Sequence, residues 1–363
     1  KSFTGEDMVE ITIHGSNAVI KKVQGMLSEN NGVRMAKAGE FTRRAFENNK
    51  LDLTQVEAIA DIVNAETEMQ RKQAVSHLSG NFFKSSKEIF EKLKNTLANL
   101  EAVIDFSEED LPENIMNEAK EQTENIIRSI NEILDGASIG ISIREGFLIA
   151  ILGKPNTGKS SFINKVSDKD ISIVTSQPGT TRDLIESFID INGYPFRFVD
   201  TAGIRESSDL VEKIGVNKAL TTSKEADVNL IFLNDYKDIN DFNNINNPIF
   251  VKSKQDLSGD KFNDNGYYNI SSITGFGIND LLALITGKIH KKTPNEKLYI
   301  SRERHIKCLT SAKTQLEKSK EDKTVDLFAE DIRLAIKYMS ELFGNVDIED
   351  ILDIIFSDFC IGK

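Results

Sequence analysis

The stretch GKPNTGKS at 153–160 constrains this chain more than any other. It fits G-x-x-x-x-G-K-[ST] and stands between a continuous apolar run, FLIAIL (147–152), and a helical pattern. Such a loop works where glycines let backbone N–H groups converge on phosphates and a helix N-terminus adds its positive end. The fold around it must supply a buried strand feeding a helix, the repeating unit of an α/β sheet. Lys159 is then placed to reach the outer phosphates, and the Ser160 hydroxyl to ligate Mg²⁺.

Two further pieces follow in order. PGTTRD (178–183) offers the Thr181 hydroxyl to Mg²⁺ and the γ-phosphate, and DTAG (200–203) ends an apolar strand. There Asp200 is available to hold the metal through water, and Gly203 to give its N–H to the γ-phosphate. Either piece alone is only a turn. Together with the loop, at this spacing, they read as a Ras-like P-loop GTPase domain. The expected nucleotide contacts in the phosphate loop are Asn156, Thr157, Gly158, Lys159, Ser160 and Ser161. Thr175, Ser176, Gln177, Pro178, Gly179, Thr180 and Thr181 form a second group, and Asp200, Thr201, Ala202 and Gly203 a third.

The base-reading element departs from the N-K-x-D of such enzymes. Ser253-Lys254-Gln255-Asp256 follows PIFV. Asp256 can accept both N1–H and N2–H of guanine, a pattern adenine does not offer. Ser253 stands where an Asn amide would bridge base loop and phosphate loop, which puts nucleotide affinity in question. NISSITG (269–275), with Ser271 and Ser272, takes the place of the last base-contacting loop. Ile204 occupies the position of the water-orienting Gln. An inactive switch, an arginine finger from another chain and a different internal device all remain open on the motifs alone.

The remaining text divides the chain. Residues 1–50 mix a strand-like alternation, VEITIH (9–14), with helical spacing in NAVIKKVQGML; this reads as an incomplete α+β piece whose earlier part is absent, since the chain starts at Lys1. Residues 51–145 turn helical, with stripes at Val56, Ile59 and Val63, at Phe90, Leu93, Leu97, Leu100 and Ile104, and at Ile126, Ile130 and Ile133. Residues 146–290 carry the α/β pattern, including the Asn192-Gly193 hairpin signal. Helix returns over 291–363, with Leu327, Ile332, Ala335, Met339 and Leu342 as its stripe. The α/β domain is thus expected as an insertion in a helical bundle.

A net charge of −12 argues against a broad basic surface for nucleic acid, though not against a nucleic-acid substrate held mainly by a partner. Two cysteines, Cys308 and Cys360, give neither a disulfide framework nor a zinc site, and no apolar run is long enough to cross a membrane. A reducing cytoplasm is the expected setting, with no membrane partner. Cys308 is expected in a core. His14 is read as a strand residue, and His77, His290 and His305 as residues without partners that would make them ligands.

At this point GEFTRRAFENNKLDLTQVEAIADIVNA (39–65), GKPNTGKSS, GTTRD, DTAGIRE and the terminal FCIGK together resemble the tRNA-modification GTPase family MnmE, also called TrmE. The resemblance runs from Ser2 to Lys363. It implies a folate-binding, dimerising N-terminal domain, a helical domain and an inserted G domain. It also implies a homodimer that joins the flavoprotein MnmG (GidA) in a heterotetramer to modify carbon 5 of the wobble uridine of certain tRNAs. The partner would bring FAD, and a 5-formyl- or methylene-tetrahydrofolate the one-carbon unit.

The resemblance also addresses Ile204. In that family K⁺ sits where an arginine finger would put its charge. By motif match Asn156, Thr175, Gln177 and Thr180 would hold K⁺, and Glu212 would orient the attacking water. Glu10, Lys50 and Lys363 match folate-binding positions, and the tail would deliver Cys360 as a nucleophile toward C6 of uracil. Two rival readings stand beside this one: a regulatory GTPase switch without modification chemistry, and a scaffold that binds GTP without hydrolysing it. The folate set and Cys360 separate the first rival, since a pure switch needs neither.

Overall fold

The computed structural model describes residues 2–105, 115–167, 185–200, 221–242, 244–258, 267–292, 300–320 and 324–344. Among these the helices are α1 (Asn17–Ser28), α2 (Glu40–Glu47), α3 (Leu53–Val63), α4 (Glu68–Leu78), α5 (Asn81–Asp105), α6 (Ile115–Leu134) and α7 (Ala137–Glu145). They continue as α8 (Lys159–Ser167), α9 (Gln255–Ser258), α10 (Ile278–Lys292), α11 (Glu303–Lys318) and α12 (Val325–Phe343). The strands are β1 (Phe147–Gly153), β2 (Ile185–Ile191), β3 (Tyr194–Asp200), β4 (Val228–Leu233), β5 (Pro248–Lys252) and β6 (Tyr268–Asn269). The chain divides into two units, one of 1–64, 74–136 and 302–363, the other of 65–73 and 137–301.

The second unit is built on a six-stranded sheet of order β2-β3-β1-β4-β5-β6, in which only β2 runs antiparallel to its neighbour. β1 is central. The chain leaves it toward β3 and later crosses to β4 on the other side, so the carboxyl end of β1 is where the winding reverses. Ligands of α/β sheets bind in that crevice. Ile149 and Ile151 face one core with Phe162 and Phe198, while Leu152 faces another with Ile231 and Leu233. Both faces are covered, which is why FLIAIL shows no alternation; each such fully buried side chain is worth about 1.5–3 kcal/mol. Strand order and phosphate loop together give the doubly wound sheet expected of a Ras-like P-loop domain.

The β2–β3 hairpin turns through Asn192 (φ 56°) and Gly193 (φ 83°), the two left-handed residues a tight type I′ turn requires. Residues 65–73 belong with this unit. Met69 N–H donates to the Gly193 carbonyl at 3.0 Å, and the Gln70 and Gln73 amides donate to the carbonyls of Arg144 (2.9 Å) and Gly140 (3.1 Å).

In the first unit α5 buries Phe82, Ser86, Ile89, Leu93, Thr96 and Leu100. The buried row therefore includes two small hydroxyl residues, and Phe90 and Leu97 lie half-buried on its flank. The α12 row is Phe328, Ile332, Ala335, Met339 and Leu342. Leu327, expected in that row, is 56% exposed. Five residues from Ile332 it points about 140° away around the helix, whereas Phe328 is one turn away.

Residues 9–14 form no strand, and the α+β character expected of residues 1–50 does not appear among those described. Val9 is 87% exposed, Ile11 and Ile13 also face solvent, and α1 buries no residue. An alternating run becomes a strand only with a ladder partner and a core beneath it, and no described strand pairs with it here. His14 is accordingly exposed and in no strand.

His305 pairs with a buried carboxylate. Its Nε2 lies 2.6 Å from Glu57 Oε2, and Arg304 grips the same carboxylate with Nε and Nη2, both at 3.0 Å. Arg304 Nη1 also donates to the carbonyls of Glu341 and Leu342 at the end of α12. His290 Nδ1 lies 2.8 Å from the Tyr194 hydroxyl. Cys308 is buried, and burial pushes its thiol above the ordinary value.

Candidate nucleotide site

The phosphate loop takes its shape from three left-handed residues, Gly153 (φ 139°), Asn156 (φ 60°) and Gly158 (φ 94°). At Gly153 any side chain is excluded, because a Cβ would fall 2.3 Å from the Phe232 carbonyl oxygen on β4. Thr157 Oγ1 donates to the Lys154 carbonyl at 2.8 Å. Lys159 opens α8, and its ammonium donates to the carbonyls of Gly153 (2.8 Å) and Lys154 (2.7 Å). Burial pulls this ammonium below its ordinary pKa, and the Asp200 carboxylate opposes that shift.

Asp200 ends β3 opposite Ile151 of β1 and is buried. The Ser160 hydroxyl donates to its Oδ2 at 3.2 Å. One hydroxyl and one carboxylate oxygen thus converge beside the loop, the hard oxygen donors that Mg²⁺ prefers. Among the described residues no cluster of three or more His, Cys, Asp or Glu is arranged for a metal. The donor set fits a cation that takes most of its ligands from phosphate and water.

The base loop closes onto the phosphate loop. Ser253 Oγ donates to the Thr157 carbonyl, and Lys254 Nζ to the Asn156 carbonyl at 3.1 Å. A Cβ on Gly158 would meet Ser253 Oγ, so the two loops touch there. The bridge that loss of Asn put in question is made by a hydroxyl instead. Asp256 is exposed, and its Oδ1 accepts from Ser271 Oγ at 2.6 Å. The backbone sets this up: Ile270 N–H donates to Lys252 O at 2.8 Å and Gln255 N–H to Ile270 O at 3.0 Å. Ser272 is half-buried and Ser161 exposed.

Several expected residues lie outside the described ones: Thr175 through Thr181, Thr201, Ala202, Gly203, Ile204, Glu212, Cys360 and Lys363. Of the folate set, Glu10 and Lys50 are exposed; Lys50 lies against Gly5, and no hydrogen bond or ion pair is seen between Glu10 and Lys50. Sequence reasoning missed two elements of the site. One is the Lys154–Asp238 ion pair at 2.6 Å. The other is the role of Ser271 toward Asp256, for which the order of the two loops was the available signal.

The family model described as the MnmE helical domain matches residues 53–360, and that described as the GTP-binding protein TrmE N-terminus matches residues 1–50. The tRNA modification GTPase MnmE of Pelagibacter ubique is 41% identical over 377 residues, covering 100% of this chain and 85% of the relative. That of Aquifex aeolicus is 41% identical over 379 residues, with 100% and 84% covered. Among solved structures, a point variant of Aquifex aeolicus Era bound to GDP·AlF4⁻ is 23% identical with a TM-score of 0.32, covering 48% of this chain and 68% of its own.

Proposed function

This chain belongs to the MnmE family of tRNA modification GTPases, and we propose that the loop at 153–160 is the site of its GTP hydrolysis. The family is one of GTP hydrolases that bind nucleotide and Mg²⁺. The observation that supports this placement is the Ser160–Asp200 contact at 3.2 Å, at the mouth of a P-loop on the central strand. Ser160 and Thr181 would hold Mg²⁺ directly, Asp200 through water; the bound ion neutralises charge on the phosphates. Lys159 would direct its ammonium to the outer phosphates. Asp256, oriented by Ser271, accepts from the guanine edge, with Ser253 and Lys254 bracing the loop.

The finer chemistry follows the family. Asn156, exposed at a left-handed position, would hold K⁺ with Thr175, Gln177 and Thr180, and Glu212 would orient water in place of the missing Gln. In this reading the chain is a homodimer that acts with the flavoprotein MnmG on the wobble uridine of tRNA. Glu10, Lys50 and Lys363 would take the tetrahydrofolate, and Cys360 would attack C6 of the uracil so that C5 becomes nucleophilic. A cytoplasmic setting goes with that substrate, and no described helix is long and apolar enough to cross a membrane.

Titration of GTP turnover with Mg²⁺ tests the nucleotide site. Ser160→Ala should weaken the apparent Mg²⁺ affinity about tenfold or more, the scale seen when a ligand set is disturbed. An unchanged Mg²⁺ dependence would place the site elsewhere.

A further inference from the structure

Lys154 is held at both ends. Its carbonyl oxygen accepts from Lys159 Nζ at 2.7 Å and from Thr157 Oγ1 at 2.8 Å. Its own ammonium meets Asp238 Oδ1 at 2.6 Å. Asp238 lies in a 3-10 helix (Tyr236–Phe242) that follows β4, and its Oδ2 accepts the Asp235 N–H at 3.3 Å. That short helix is anchored: Ile239 and Phe242 pack on Leu152, Ile231 and Leu233 of the sheet. The Asp238 side chain is 18% exposed against 52% for Lys154, so the carboxylate is the fixed end of the pair.

We propose that Asp238 is a positioning residue for GTP binding, acting through Lys154 to hold the phosphate loop in its receptive shape. The inference rests on the reading of 153–160 as the nucleotide site. Lys159 has three N–H donors and spends two on the Gly153 and Lys154 carbonyls, so contact with two phosphate oxygens releases one of those carbonyls. Where the Lys154 carbonyl is the one released, it keeps only the Thr157 hydroxyl. The side-chain tether to Asp238 then keeps the backbone of Lys154 in place, so the N–H groups beyond it stay aimed at the anion. The competing view is that Asp238 is simply a negative charge near a polyanion's site. The two differ in sign: removing a bare negative charge tightens GTP binding by Coulomb's law, whereas removing a tether weakens it.

The test uses the full chain, with equilibrium binding of a fluorescent GTP analogue and steady-state turnover. Asp238→Asn should raise Kd and KM about fivefold, the top of the usual range for a partly covered ion pair. Its kcat should stay within about twofold, since nothing that touches the reacting atoms is removed. The charge-swapped double variant, Lys154→Asp with Asp238→Lys, should recover most of the lost affinity. Lys154→Met removes a cation near the phosphates as well as the tether, so it serves as a background: adding Asp238→Asn to it should leave Kd unchanged, whereas loss of a bare negative charge would tighten binding. Binding by Asp238→Asn that is unchanged or tighter overturns the proposal, as does a folded charge-swapped variant that binds no better than Asp238→Asn. A wild-type chain that does not bind GTP sinks the nucleotide-site reading and this inference together; wild-type binding beside an indifferent Asp238→Asn sinks the tether alone.

Discussion

Ser253 Oγ donates to the carbonyl oxygen of Thr157, so one hydroxyl ties the loop at 253–256 to the loop at 153–160. Thr157 is almost fully buried, and its carbonyl gains a donor that comes from 96 residues further along the chain.

Ser253→Ala removes that donor and leaves a covered acceptor unsatisfied, at a cost of about 1–3 kcal/mol. GTP affinity, read by isothermal titration, should fall about tenfold. Ser253→Thr keeps the hydroxyl and should bind as wild type does. Equal affinity for Ser253→Ala would show that the hydroxyl carries no coupling.

Purine choice should rest on the Asp256–Ser271 pair. Asp256→Ala removes the acceptor for two guanine N–H groups, and the ratio of GTP to ATP affinity should drop by about 10²-fold or more, as for a site that hydrogen-bonds its ligand. Ser271→Ala should lower the same ratio by a smaller factor, because it only loosens the carboxylate. Competition binding of both nucleotides reads the two ratios.

Stability should fall on acidification, starting near pH 6.5, through Glu57 and His305. Burial opposes ionisation of Glu57, yet His305 and the fixed charge of Arg304 hold its carboxyl below the usual range. Burial pulls His305 below its ordinary value against the pull of Glu57. The Nδ1 of His305 has no hydrogen-bond partner, which suits a neutral ring donating from Nε2 and would strand a second N–H if the ring were charged. Both groups bind more protons unfolded than folded as pH drops, so both make stability rise with pH. Denaturant midpoints at pH 7.5 and 5.5 check the direction. Glu57→Ala should cost about 3–5 kcal/mol at neutral pH, since half-buried Arg304 and buried His305 both lose the carboxylate. A midpoint that rises toward pH 5.5 would contradict the assignment of His305.

The phosphate loop and the hairpin at Asn192-Gly193 were legible because each is written in consecutive residues whose backbone demands few residue types can meet. Glu57 was not. In sequence it is one more charge on a helix, and what buries it stands 247 and 248 residues away in Arg304 and His305. Residues 65–73 gave no apolar stripe, because Gln70 and Gln73 hold on through side-chain amides to backbone carbonyls. Ser86 and Thr96 escaped for a related reason: a small hydroxyl fits a helix-packing row, and Thr96 satisfies itself on the Lys92 carbonyl at 3.0 Å. VEITIH misled in the opposite direction, since period-two alternation states what a strand would bury but not whether a partner strand is there.

The measurement that bears most directly on the proposed mechanism is GTP turnover by the purified chain in KCl and in NaCl at equal ionic strength. A large rise in K⁺ that disappears in Asn156→Ala is the expected result, with Ile204 then explained by a cation in place of a water-orienting Gln. Equal, near-background rates in the two salts would contradict cation-assisted hydrolysis by this chain.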